Sequence, residues 1–398
     1  MKKILIISDS PLESDPRVYK QIKYLKEKGY YVATAGKSPS GIEGDFINIS
    51  VKQKKLSDFL RKPDIDTFLK IVKKNISNEC LRRMFLKIRC YERYYWNSFF
   101  VRNSLEAIEN CKGKYDLIIA NDIPVLPLSL KLAEKNNAKV YIDAHEYEPR
   151  QYNTFKFNFF YKNYWYYICK KYLPQADYMT TVCDGIAETY SSNFKVKCDV
   201  MMNLPFYCNV KPKKCSKDRI RMIHHGGASE VRRLEKMIEL MDYLDERFEL
   251  DFMFINNDCE YVTKLKKLAS KNNRIRFLPP VNMPEIPEFI NKYDIGIFLL
   301  LPHIFNYKMA LPNKLFEFIQ GRLAVAIWPS QEMVKIVNKY EIGVYSQNFD
   351  VKEMADVLNN LTEKDINVMK KNSDIAAKVL NSEQNKKQLY SIIMNLIG

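Results

Sequence analysis

The stretch Tyr307-Lys-Met-Ala-Leu-Pro-Asn-Lys-Leu-Phe-Glu-Phe-Ile-Gln-Gly321, followed by Leu323-Ala-Val-Ala-Ile327, decides how the chain is read. Pro312 fixes φ where a helix can begin and Asn313 can cap it, so the first-turn amides point unpaired at the preceding loop. Such an end attracts anions. Lys314 adds a full positive charge beside those donors, a setting suited to a phosphate or diphosphate. Glu317 shares that face three residues on, and a carboxylate there accepts two hydrogen bonds at once, as a ribose diol offers. A capped core helix with two solvated charges fits the same residues, so the decision passes to the rest of the chain.

At 398 residues the chain exceeds what one hydrophobic core usually serves, which predicts two domains. Its 46% hydrophobic and 28% charged residues are those of a folded protein rather than a disordered one. The longest apolar run, Ile295-Gly-Ile-Phe-Leu-Leu-Leu301, is far short of the ~20 residues a membrane span needs. Ser8-Asp-Ser10 and Glu13 interrupt Ile4-Leu-Ile-Ile7 too early for a signal-peptide core, so the reading places the chain in the cytoplasm. Nine scattered cysteines without a C-x-x-C pair read as reduced thiols. Of the net +16, a surplus of nine falls between Val51 and Arg102, where 14 Lys/Arg meet 5 Asp/Glu. Charge of that kind suits nucleic acid, an anionic membrane or an acidic substrate, and does not choose among them.

Alternation of strands and helices sets the fold class. Lys2–Asp9 reads as a buried strand, Asp15-Pro16 as a cap and first-turn proline, and Val18, Ile22 and Leu25 as one helical face. Gly29 ends that helix before a strand at Tyr30–Ala35. The unit is βαβ, which commits the chain to a parallel sheet with right-handed crossovers. The pattern continues through strands at Leu117–Asn121, Val140–Asp143 and Asp177–Val182, and restarts at Ile220–His225 after an irregular segment carrying two prolines. The expectation is α/β, two Rossmann-like doubly wound parallel-sheet domains facing a cleft. The N-terminal domain covers 1–203, a linker 204–219, the C-terminal domain 220–380, and a last helix in 381–398 packs back on the first domain.

Doubly wound sheets bind ligands beyond the carboxyl ends of their strands, and polar loops fall there. Four pieces stand in order: Ser8-Asp-Ser…Asp15-Pro-Arg-Val; Asp143-Ala-His-Glu146; His225-Gly-Gly…Arg232-Arg233; and Pro312-Asn-Lys-Leu-Phe-Glu317. Together they resemble the two-domain GT-B glycosyltransferases, in particular the retaining family 4 group. The resemblance implies transfer of a sugar from a nucleotide-sugar to a glycan or lipid-linked acceptor in cell-surface polysaccharide synthesis, capsule or O-antigen among them. It implies catalytic roles for His145, Arg233 and Lys314, with the last two on the diphosphate. Donor contacts fall on Gly226, Gly227, Arg232, Pro312, Asn313 and Glu317, and acceptor contacts on Asp15, Arg17 and Asp122. Phe277–Pro280 lies where the family holds the base. No metal or other cofactor is expected, because Arg, Lys and backbone amides stabilise the departing diphosphate; Asp64-Ile-Asp66 sits in the basic insertion. Glu317 matches the second acid of the family's E-x7-E motif, whereas the first falls on Met309. A GT-B-fold epimerase and a catalytically inactive nucleotide-sugar-binding partner subunit stay open as alternatives.

From Tyr152 to Tyr172, 11 of 21 residues are aromatic, interleaved with lysines. With the basic insertion they suit contact with an anionic membrane at the inner face of the plasma membrane, or a helix packed on its own domain. They lack an RNA-module signature, so nucleic acid is set aside as a partner.

Overall fold

A computed structural model describes residues 1–50, 90–111 and 113–398. Most of the basic insertion, residues 51–89 with Asp64-Ile-Asp66, lies outside the described residues. The chain divides into two compact units: Met1–Val182, Ile186–Val200 and Leu389–Gly398 form the first, and Cys183–Gly185 with Met201–Gln388 the second.

The first unit carries a sheet of β1 (Lys3–Ser8), β2 (Tyr31–Gly36), β3 (Phe46–Asn48), β4 (Leu117–Asn121), β5 (Lys139–Ala144), β6 (Tyr178–Thr181) and β7 (Asp199–Val200). Its order is β3-β2-β1-β4-β5-β6-β7, and every pairing is parallel. The second unit repeats the scheme with β8 (Ile220–Gly226), β9 (Phe248–Phe254), β10 (Ile275–Leu278), β11 (Ile295–Phe298), β12 (Ala324–Ile327) and β13 (Gly343–Tyr345). They lie in the order β10-β9-β8-β11-β12-β13, again all parallel. Both sheets are wound outward from a central pair, β1 with β4 and β8 with β11. Loops leaving such a pair turn in opposite directions and open a crevice at the carboxyl edge. The doubly wound α/β class expected from the alternation is therefore the class observed.

Helices cover both faces of each sheet, so the strands are apolar on both sides. In β12 the fully buried side chains alternate between two cores: Ala324 and Ala326 join the cluster around Phe252 and Trp328, and Val325 and Ile327 the one around Phe316 and Phe318. The Asn313–Gln320 helix lies over this second core, burying Leu315, Phe316, Phe318 and Ile319. Gly296 in β11 sets how closely it can approach. A Cβ on Gly296 would stand 2.2 Å from the Phe318 ring, so only glycine lets the helix seat against the strand.

Several local expectations need correction. Pro312 is extended (φ −76°, ψ 151°) and itself occupies the N-cap position, Asn313 is the first helical residue, and no side chain caps the end. After Gly227 the chain makes a 3-10 turn over Glu230–Arg232, and the α-helix starts only at Glu235. Residues 204–219 form no regular element, yet they are strapped to the second unit. Cys208 N–H donates to Gln320 at 2.9 Å, Cys208 C=O accepts from Arg322 at 2.8 Å, and Cys215 N–H donates to Asn367 at 2.9 Å. In the first unit, the Tyr390 hydroxyl donates to the Tyr24 carbonyl at 2.7 Å, which ties Leu389–Gly398 to the Pro16–Glu27 helix.

Gly296→Ala should therefore displace Phe318 and cost roughly 1–3 kcal/mol of stability, the usual range for overpacking. Urea denaturation measures the loss, and adding Phe318→Leu should recover part of it. An unchanged midpoint in Gly296→Ala would show that the helix is not held at this distance.

Candidate functional site

In the first unit the site is built on a buried carboxylate. Asp143, the penultimate residue of β5, has no solvent exposure. Arg17 and Gln21 lie four residues apart on one face of the Pro16–Glu27 helix, which Asp15 caps by accepting from Arg17 N–H at 3.1 Å and Val18 N–H at 3.2 Å. Both side chains reach Asp143. Arg17 binds its two oxygens through Nε and Nη2, Gln21 Nε2 donates to Oδ2 at 2.6 Å, and Thr180 Oγ1 donates to Oδ1 at 2.7 Å. Burial alone would raise the Asp143 carboxyl, but the Arg17 charge and these donors hold it below the usual range.

This polarity propagates. An ionised carboxylate only accepts, so Gln21 must present its amide nitrogen to Asp143 and its oxygen to the next group. That group is Asn121 at the end of β4, whose Nδ2 donates to Gln21 Oε1 at 3.1 Å. Asn121 Oδ1 is left buried without a hydrogen-bond partner. Next to it Asp122 adopts positive φ (73°), costly for a non-glycine residue, and accepts from His145 N–H at 2.7 Å. Asp122 Oδ2 also lies 3.3 Å from His145 Nδ1, while His145 Nε2 is buried and unpartnered. Burial raises the Asp122 carboxyl and the His145 contacts oppose it; about a third of the side chain, 36%, stays exposed, so that loss of hydration is partial. Asn121, Asp122, His145, Glu146 and Glu148 line a cavity of about 600 Å³ with Ser8, Asp9, Ser10 and aromatic walls from Tyr94, Tyr95, Phe100, Tyr161, Tyr164 and Trp165. Burial, then Asp122 and Glu146, push the Glu148 carboxyl well above the usual range.

Arg17, expected at the acceptor, is buried and committed to Asp143; it positions the strand end. Asp15 is committed to its cap and to Ser10 Oγ, which donates to it at 3.0 Å. Asp122 and His145 do line the cavity. Gln21, Asn121 and the aromatic walls were not anticipated. Only the i, i+4 spacing of Arg17 and Gln21 hinted at a shared target.

In the second unit the corresponding edge carries a buried cation. β8 ends in His224-His225-Gly226, and Gly226 adopts φ 115°, closed to L side chains. Lys314, in the first turn of the Asn313–Gln320 helix, is 7% exposed and comes up beside it: a Cβ on Gly226 would lie 3.6 Å from the ammonium. Lys314 Nζ stands 3.3 Å from His224 Nε2 and 4.3 Å from the Phe298 ring centroid. His224 Nδ1 faces the Ile297 carbonyl at 2.9 Å, and a carbonyl only accepts. Nδ1 therefore carries the proton and Nε2 turns its lone pair to Lys314. Burial, and then Arg232, push the Lys314 ammonium well below the usual lysine range, with Glu317 opposing. Burial and Lys314 push His224 down as well, and His225 down to about 3. His225 Nε2 lies 3.5 Å from Glu317 Oε2, and Glu317 retains 12% exposure.

Of the expected donor residues, Gly226, Lys314 and Glu317 thus gather around the end of β8, and Arg232 Nη1 donates to the Gly227 carbonyl at 3.0 Å. Arg233 diverges: it takes the left-handed conformation (φ 53°), its side chain is 63% exposed, and it pairs with Glu235. Adjacent arginines cannot point one way, and the 3-10 turn selects Arg232 for the edge. Pro312 and Asn313 supply the helix end; Leu315 N–H donates to the Pro312 carbonyl at 3.1 Å, which leaves the Asn313 and Lys314 amides of the first turn without an intrahelical partner. Met309, in the position of the missing acid, offers a thioether that packs toward Gly185. Among the described residues, no group of three His, Cys, Asp or Glu side chains is placed to hold a metal, and no helix is long and apolar enough to cross a membrane.

No protein-family model matches the sequence, and no curated protein matches it. Solved structures do match over almost the whole chain. Sucrose-phosphate synthase of Thermosynechococcus elongatus is similar with TM-score 0.69 and 14% identity, over 100% of this chain and 99% of that one. The Anabaena protein HepE, solved with UDP and glucose, is similar with TM-score 0.66 and 10% identity, over 100% of both chains. WaaG, a glycosyltransferase involved in lipopolysaccharide biosynthesis, is similar with TM-score 0.63 and 11% identity, over 97% of this chain and 99% of that one. At such identities the likeness shows the fold, the two doubly wound α/β domains of the GT-B class.

A buried histidine held neutral makes stability depend on pH with a definite sign. The unfolded chain protonates His225 near its ordinary value of 6.5, whereas the folded chain does so only at about 3. Unfolding therefore takes up a proton between these values, and stability should fall as pH is lowered from 6.5 toward 3. Denaturant midpoints measured across that window should show the slope, and His225→Gln should make it shallower. Equal slopes for the two proteins would mean that His225 is not buried neutral.

Proposed function

We propose that the chain is a retaining, metal-independent glycosyltransferase of the family 4 kind, which moves a hexosyl group from a nucleotide-sugar to a glycan or lipid-linked acceptor in cell-surface polysaccharide synthesis. The observation that carries the reading is Lys314: a buried ammonium beside a positive-φ glycine at the start of a helix, with Glu317 on the same face. A cation kept from water with no carboxylate in hydrogen-bond range among the described residues is a site prepared for an anion. The free amides of the helix start add donors in the same place, and together they suit a diphosphate. Glu317 accepts from the ribose diol. HepE, of the same fold, was solved with UDP and glucose, which supports a nucleotide-sugar here.

Breaking a glycosyl–phosphate bond places negative charge on the departing diphosphate. Lys314, Arg232 and the helix start stabilise it as it grows, in surroundings that are already desolvated and need no reorganisation. This lowers the barrier without a metal. In the first unit Asp122 orients the His145 ring through Nδ1 and leaves the buried, unpartnered Nε2 to meet a sugar hydroxyl. The departing phosphate takes the proton of the attacking hydroxyl, which is the route by which the anomeric configuration is retained. Exposed Tyr152, Phe155 and Phe159, interleaved with Lys156 and Lys162, support contact with an anionic membrane. Met309 supports one other reading, a nucleotide-sugar-binding subunit without turnover.

The test is release of nucleoside diphosphate from a panel of nucleotide-sugars with glycan and lipid-linked acceptors. Turnover sustains the transferase, binding without turnover favours the subunit, and absence of both ends the proposal. Lys314→Met should weaken nucleoside diphosphate binding by roughly 30-fold or more, the cost of leaving a buried charge unpaired. The same change should raise the thermal midpoint by about 2–4 °C for each kcal/mol released, because an apolar chain suits that pocket better. Glu317→Ala should cost about tenfold or more in affinity, the worth of one hydrogen bond to a charged group.

A further inference from the structure

The 600 Å³ cavity of the first unit has a hydrogen-bonding polarity that selects its occupant. Two buried atoms in its wall, Asn121 Oδ1 and His145 Nε2, have no partner. The orientation of each is fixed from behind. Asn121 is turned by the relay from Asp143 through Gln21, which leaves an acceptor rather than a donor facing inward, and Asp122 orients His145 so that Nε2 is the ring atom left without a partner. Asp9, Asp122 and Glu146 add further acceptors, with Asp9 also paired to Lys37 at 2.8 Å outside the cavity. Among the described residues that line the cavity there is no lysine or arginine.

We infer that the acceptor's reacting residue, held in this cavity, is an uncharged or amino sugar, and that the cavity rejects sugars bearing phosphate or carboxylate there. The inference rests on the transferase reading and names the acceptor class within it. Hydroxyls and ammonium groups supply the donor that Asn121 Oδ1 lacks, and a hydroxyl meets His145 Nε2 as either donor or acceptor. A phosphate supplies only acceptors and negative charge, so it would leave Asn121 Oδ1 unpaired and face the carboxylates without a lysine or arginine in the described lining. Tyr94, Tyr161 and Trp165 give the apolar C–H face of a pyranose a wall to lie on, and the volume is that of a small-ligand site. Glycan termini fit this description, whereas a sugar phosphate does not.

Ligand-observed NMR on the full chain tests it directly. The probes are methyl glycosides of glucose, galactose, mannose and glucosamine, each set beside its 6-phosphate, and glucuronic acid. At least one neutral or amino glycoside should bind, with its 6-phosphate about tenfold weaker or worse, corresponding to one unmade hydrogen bond to a buried group. Glu146→Gln should narrow that gap by removing a charge from the wall. Phosphates or glucuronic acid that bind as well as the neutral sugars overturn the inference, and so does failure of every uncharged and amino glycoside to bind. Calorimetry with UDP and GDP on the same preparation separates the two claims. Nucleotide binding alongside an indifferent cavity sinks only the acceptor class, while loss of nucleotide binding sinks the transferase reading whatever the sugars do.

Discussion

The structure of the first unit depends on the Asp143 carboxylate having no water. A fully buried charge is tolerated only when it is paired and all its lone pairs are used, and Arg17, Gln21 and Thr180 do this from one helix and the neighbouring strand. The pairing joins β5, β6 and the first helix at the carboxyl edge. Because Asp143 can only accept, it also dictates which way Gln21 and Asn121 face, and so turns an unsatisfied oxygen into the cavity. A structural ion pair thereby sets the chemical character of a binding surface it does not touch.

The second unit treats its buried charge in the opposite way. Lys314 has a neutral histidine and an aromatic face for company, and Arg232 contributes a like charge nearby. Such an arrangement is poor for stability and good for anion binding, since a ligand that supplies the counter-charge recovers what folding gave up. Gly226 and Gly296 serve the same end at different distances. The first lets the backbone take φ 115° beside the ammonium, and the second lets Phe318 and its helix seat against β11.

Much of this was legible in the sequence, because it rested on local rules. Strand and helix alternation, the Asp15-Pro16 cap and the apolar face of the Asn313–Gln320 helix follow from periodicity and capping chemistry. What was not legible depended on direction. Nothing in Pro312-Asn313 distinguishes a capping asparagine from a first helical residue, and nothing in Arg232-Arg233 shows that the second takes the left-handed region and swings away. Arg17 was expected at the acceptor, and its burial became apparent only once β5 placed a carboxylate opposite. The Asp143–Gln21–Asn121 relay joins residues 100 and more positions apart, a relation that no local pattern encodes.

The account turns on the buried Lys314 ammonium meeting its counter-charge only when an anion binds. Calorimetric titration of UDP and GDP into the full chain and into its Lys314→Gln variant, at a pH where the diphosphate is fully ionised, reads this directly. Binding of at least one nucleoside diphosphate by the full chain, lost or much weakened in the variant, is the predicted result. Equal affinity in the two proteins, or no binding of any nucleoside diphosphate, would contradict it.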